Sequence, residues 1–86
     1  MLNEEIQSAI KNDKALLGYR ESIKFIKLNQ AKLIVMSNNL QEQIKNEILH
    51  IVKLSNSKYE IFDGNSKELG TVCGKPFPVS VLTIKG

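Results

Sequence analysis

Side chains with intrinsic reactivity are few in this 86-residue chain: one histidine, His50, and one cysteine, Cys73. His50 falls in a stretch of helical apolar spacing. No nucleophile or acid is offered beside it, and a general base needs its partner within hydrogen-bond reach. It reads as a partly buried or surface helix residue. Cys73, between Val72 and Gly74, reads as a small core hydrophobe. One Cys forms no intramolecular disulfide, and one Cys with one His makes no Cys/His metal set. The carboxylates are scattered, not paired for acid–base work. Gly18, Gly64, Gly70 and Gly74 spell neither a dinucleotide fingerprint nor a Walker sequence. No enzyme, cofactor, metal or small-molecule substrate is expected. What remains is binding, and Leu17-Gly18-Tyr19-Arg20 suits an anion: a helix start offers free N–H groups, and Arg20 stands beside them.

The charge balance leans the same way. Twelve Lys/Arg against nine Asp/Glu give +3 and a pI near 9.1, a mild attraction toward polyanions. Lys53, Lys58, Lys67 and Lys75 are dispersed enough to read as solvated surface. A hydrophobic fraction of 42% excludes intrinsic disorder. The start, Met1-Leu2-Asn3-Glu4-Glu5, is too acidic for a secretory signal or a mitochondrial presequence. No apolar run approaches the roughly 18 residues of a membrane span. An intracellular, reducing compartment and no membrane partner are expected.

The elements that must position these residues alternate along the chain. Residues 3–11 read as a helix capped by Asn3, with Leu2, Ile6, Ala9 and Ile10 inward. Ala15-Leu16-Leu17 is a short edge strand. A second helix over 19–29 buries Tyr19, Ile23, Ile26 and Phe25. Lys32-Leu33-Ile34-Val35-Met36 is an unbroken apolar run, as in a strand covered on both faces. Asn39 reads as the N-cap of a helix over 40–53, with Glu42 completing a capping-box pair. Leu40, Ile44, Ile48, Ile51 and Val52 face inward there. A strand over 59–62, a turn at Asp63-Gly64-Asn65-Ser66, a short helix over 67–73 closed by Gly74, and a strand over 79–84 complete the chain. Strands alternating with helices on both faces imply an α/β/α sandwich. One domain over residues 1–86 is expected.

Three blocks, taken in order, resemble one family. They are Leu17-Gly18-Tyr19-Arg20, Lys32 to Met36 running into Ser37-Asn38-Asn39, and Glu68-Leu69-Gly70-Thr71 with Gly74-Lys75-Pro76-Phe77. The family is the archaeal and eukaryotic large-subunit ribosomal protein L-thirty-e, within the kink-turn RNA-binding superfamily that also holds L-seven-Ae. The resemblance implies a three-layer α/β/α sandwich with a four-stranded mixed sheet. It implies a cytoplasmic ribosomal constituent that binds a kink-turn of ribosomal RNA beside other ribosomal proteins. Carried over position by position, the RNA contacts fall on Gly18, Arg20, Asn39, Glu68, Leu69, Gly70 and Phe77. Gly18 would let backbone approach backbone. Arg20 would grip a phosphate or a guanine edge. Asn39 would read a base edge, with Asn38 as its alternative and an N-cap role in competition. Phe77, held extended by Pro76 and Pro78, would pack on an unstacked base or sit in the core. Leu69 is open between core and RNA.

The chain also departs from the family. Lys67 stands where an asparagine commonly precedes the E-L-G block. Gln41 and Ile44 replace a proline and a basic residue, and both ends are short. A reduced version that keeps the RNA edge is expected. The alternative is a protein–protein adaptor on the same scaffold without RNA binding, since one fold hosts many functions.

Overall fold

Apolar residues set the layers. The computed structural model describes residues 2–85; the Leu2 side chain, expected to face inward, lies outside what it describes. Its elements are α1 (Leu2–Lys11), β1 (Ala15–Leu17), α2 (Tyr19–Leu28), β2 (Leu33–Met36), α3 (Glu42–Ser55), β3 (Tyr59–Ile61), α4 (Ser66–Val72) and β4 (Val81–Ile84). The strands lie in the order β1-β4-β2-β3. β4 runs antiparallel to both β1 and β2, and β3 runs parallel to β2. This is the expected four-stranded mixed sheet.

Side chains of a strand alternate between faces, and here each face has its own core. Ile34, Met36 and Val81 pack with Ile23 and Ile26 of α2 and Ile48 and Val52 of α3. Val35 and Leu82 pack with Ile6 of α1, Phe62, and Leu69 and Cys73 of α4. The unbroken apolar run in β2 follows from this double cover. The fully buried Ile and Leu side chains each contribute about 1.5–3 kcal/mol relative to exposure. Among the described residues, no helix is long and apolar enough to cross a membrane.

Several boundaries differ from the sequence reading. α1 already includes Leu2, so Asn3 lies within its first turn instead of capping it. α3 begins at Glu42 and continues to Ser55, and its N-cap is Gln41, which makes no side-chain cap bond. The expected Asn39–Glu42 capping pair is therefore absent, because the Asn39 oxygen is engaged elsewhere, as described below. Leu40 precedes the helix and is partly buried against the α2–α3 core. His50 is exposed and Cys73 is a buried free thiol. β3 is an edge strand with all three residues exposed.

Candidate nucleic-acid interface

At one end of the sheet β1 and β2 finish, β4 begins, and three connections meet. The first is Gly18, the N-cap of α2, with φ 104° and ψ 157°. That conformation is open to glycine and strained for other residues. Among the described residues, nothing lies within 4 Å of a Cβ built there. Within the fold it is the backbone angle that calls for glycine, and the space beside it stays open. The Gly18 N–H donates to the Val81 carbonyl at 2.8 Å, and the first helical bond runs from the Ser22 N–H to the Gly18 carbonyl at 3.1 Å. No side chain caps the N–H groups between, so they keep their partial positive charge. Arg20 is exposed beside them. Tyr19 packs on the α2–α3 core. Its hydroxyl donates to the Glu47 carboxylate, which, with some desolvation, raises the phenol above its ordinary value. Tyr19 therefore ties α2 to α3.

The second connection is Ser37-Asn38-Asn39. The Ser37 N–H donates to the Ser80 carbonyl and the Asn38 N–H to the Gly64 carbonyl, both at 2.9 Å. Asn39 Oδ1 accepts the Ser66 N–H at 3.1 Å. The loop after β2 is thereby fastened both to the start of β4 and to the start of α4.

The third is α4 and the segment behind it. Asn65 caps α4: its Oδ1 accepts the Glu68 N–H at 2.9 Å, and Glu68 Oε1 accepts the Asn65 N–H at 3.5 Å. This is the chain's capping box. Its signal is Asn65, which the sequence reading placed in a turn, with Glu68 three residues on in the helix that follows. At the far end the Gly74 N–H reaches the Thr71 carbonyl and the Lys75 N–H the Gly70 carbonyl, with Gly74 at φ +73°. These two bonds form a Schellman motif, as the glycine stop predicts. Leu69 is fully buried in the α1–α4 core, which decides between its two readings in favour of packing. Gly70 is buried as well. A Cβ there would run into the Phe77 carbonyl oxygen and lie 3.2 Å from Pro78 Cα. Here it is packing within the chain that requires glycine. Phe77 is 50% exposed.

These placements bring the sequence-separated residues together unequally. Leu17, Gly18 and Tyr19 face Phe77, Pro78 and Ser80 across a cleft of about 220 Å³. A second groove of about 340 Å³ runs along the other side of Phe77, past Lys67, Thr71, Lys75 and Pro76. Asn39 reaches α4 through Ser66. Arg20 and Glu68 are exposed, while Leu69 and Gly70 are enclosed. The sequence reading left Asn65 and Ser80 out of this edge. Chemically, it combines uncapped N–H groups, three cations (Arg20, Lys67 and Lys75) and one exposed aromatic ring.

Comparison with known proteins follows the same outline. A profile of the Ribosomal protein L7Ae/L30e/S12e/Gadd45 family matches residues 1–86. The large ribosomal subunit protein eL30 of Saccharolobus solfataricus is 38% identical over 80 residues, 93% of this chain and 74% of that protein. The protein of the same name from Methanosphaera stadtmanae is 41% identical over 80 residues, covering 93% and 82%. Two solved structures share the fold. A Giardia lamblia 15.5kD RNA binding protein superposes with a TM-score of 0.89 at 17% identity, covering 99% of this chain and 71% of the other. A protein of unknown function from Bacillus halodurans superposes at 0.88 and 20% identity, covering 98% and 83%. With the profile running the whole length and relatives above 30% identity over most of both chains, this chain belongs to the Ribosomal protein L7Ae/L30e/S12e/Gadd45 family.

Proposed function

We propose that the chain is a non-enzymatic constituent of the large ribosomal subunit that binds a kink-turn of ribosomal RNA through the edge just described. It works in the cytoplasm as part of the ribosome, with other ribosomal proteins as neighbours. The observation that carries this reading is the meeting of Gly18–Arg20, Asn39 and Glu68–Phe77 at one end of the sheet, fastened by the Asn39–Ser66 bond.

The contacts follow from the chemistry of each group. The α2 N–H groups and Arg20 receive phosphate oxygens, and Arg20 does so bidentately. Asn39 has its oxygen engaged, so its amide N–H groups are what it offers, and they match acceptors such as guanine O6 or N7. Glu68 accepts from base amino groups. The Phe77 ring packs on an unstacked base. Leu69 and Gly70 act from beneath: one anchors α4, the other lets the Phe77 backbone close on it.

A gel-shift titration at fixed salt tests this. The probes are a kink-turn RNA and the same RNA with its sheared G·A pairs replaced by Watson–Crick pairs. The kink-turn should bind at least about tenfold more tightly, a difference of about 1.4 kcal/mol. Equal affinities would leave only non-specific phosphate binding.

A further inference from the structure

The end of the sheet opposite the Gly18–Phe77 edge is built differently. There a lysine flanks every strand: Lys14 before β1, Lys85 after β4, Lys32 before β2 and Lys58 before β3. The strand order places them in a row in that sequence, at a spacing of roughly 4.8 Å between neighbouring strands. Their main chains are fixed. The Lys85 N–H donates to the Lys14 carbonyl at 2.7 Å, the Lys32 N–H to the Ile84 carbonyl at 2.9 Å, and Lys58 accepts the Ile34 N–H at 2.9 Å. At the other end the flanking residues are Gly18, Ser80, Ser37 and Phe62, all uncharged.

Lys32, Lys58 and Lys85 line one groove of about 510 Å³ with Gln30, Asn56 and Ser57. Its wall is prebuilt. Gln30 Nε2 donates to the Asn56 carbonyl at 2.6 Å, and Ser57 Oγ accepts the Ala31 N–H at 3.0 Å. Among the described residues, no acidic side chain lines this groove. Lys14 borders the neighbouring cleft, which also holds Glu4 and Glu5, and Lys32 stands between the two and lines both. Leu28 and Leu54, the exposed leucines at this pole, are not part of the lining. The groove is therefore cationic and polar, which fits a phosphate backbone better than an apolar peptide.

We propose that this lysine row is a second RNA-binding surface, which takes the backbone of a separate RNA segment while the Gly18–Phe77 edge stays free. In the sequence Lys58 reads as one lysine among several on a solvated face; the sheet register turns it into one of three in a single groove. The surface is independent of the kink-turn reading, because it needs phosphate and no particular base.

The test uses the full chain and a perfectly paired RNA duplex without an internal loop. Replacing Lys32, Lys58 and Lys85 together by Gln should flatten the slope of log affinity against log salt by about 2.7, the share of three neutralised phosphates. Arg20→Ala should leave duplex affinity within about twofold. Amide shifts of the unmodified chain, titrated with duplex, should move at Lys32, Ser57, Lys58 and Lys85 and not at Gly18–Arg20. This mapping decides the matter even if the triple variant does not fold. An unchanged slope in a folded triple variant, shifts confined to Gly18–Arg20, or preference for a polyglutamate peptide over duplex overturns the proposal. A chain that binds duplex at the lysines and holds the kink-turn RNA no more tightly than its Watson–Crick-paired counterpart sinks only the kink-turn reading.

Discussion

Asn39 Oδ1 accepts the backbone N–H of Ser66 at 3.1 Å, across 27 positions of sequence. The acceptor belongs to the loop after β2 and the donor to the first residue of α4. The contact joins the second of the three blocks to the helix that carries the third, and it uses the oxygen that would otherwise have capped α3. A residue that reads as a local helix cap thus acts as a tertiary clasp.

Removing the clasp should cost stability without unfolding the chain. Asn39→Ala should lower unfolding free energy by about 0.5–1.5 kcal/mol, the net worth of one hydrogen bond, and the melting temperature by several degrees. Asn39→Asp keeps the acceptor and should melt close to the parent. It loses the amide donor and adds a negative charge, so kink-turn affinity should fall in both variants. Thermal melts paired with gel shifts separate the two effects. A full-strength RNA complex from Asn39→Asp would remove the amide from the interface.

The two glycines of the edge should fail in different ways. Gly70→Ala drives a methyl into the Phe77 carbonyl, and overpacking of this kind costs about 1–3 kcal/mol. It should also displace Phe77, weakening RNA binding. Gly18→Ala meets no neighbour but inherits φ 104°, a strained backbone costing about 1–3 kcal/mol. Urea denaturation measures both losses. Only Gly70→Ala should change the accessibility of the Phe77 segment to limited proteolysis.

Arg20 is exposed at the second position of α2. Arg20→Ala should leave the melting temperature nearly unchanged, as surface substitutions do. It should weaken kink-turn binding by about 1–3 kcal/mol. Titration at two salt concentrations shows whether a phosphate is involved: losing one phosphate contact flattens the salt slope by about 0.9. Unchanged affinity would take Arg20 out of the site.

Alkaline pH should destabilise the fold in two stages. Burial pushes the Cys73 thiol above its ordinary 9.0, with Lys75 pulling the other way. The bond to Glu47 pushes the Tyr19 phenol above its ordinary 10.0. In both cases the folded chain holds a proton that the unfolded chain has released. The stability this contributes is fully present below the ordinary value and is lost as pH rises through the raised one. Melting temperatures should therefore decline above about pH 9. Cys73→Ala should flatten the first part of that decline and Tyr19→Phe the second. In the native state at neutral pH the buried, protonated thiol should react slowly with alkylating reagents.

Much of the fold was legible because it rests on periodicity. The apolar run Leu33–Met36 announced a strand covered on both faces. The spacing of Ile44, Ile48 and Val52 announced a helix with one buried stripe. Gly74 announced the stop of α4 through its left-handed backbone. All are local rules that a linear sequence obeys on its own. The start of α3 was misread because an Asn followed three residues later by Glu satisfies the same local rule at 39–42 and at 65–68. Tertiary contact alone decides which asparagine caps: Asn65 caps α4, and Asn39 is bound to Ser66.

The sequence by itself determined the alternation of elements and the three blocks that point to one family. Register was left to the tertiary structure, since hydrogen bonding between strands brings together residues far apart in the chain. It closed Phe77 over Gly70 and across from Gly18, and so made an edge out of three blocks. It packed Gly70 against the Phe77 backbone, while Gly18 is held to glycine by its backbone angle. It also lined up Lys14, Lys85, Lys32 and Lys58 at the other end, where four positions spread along the sequence become neighbours only once the sheet has formed.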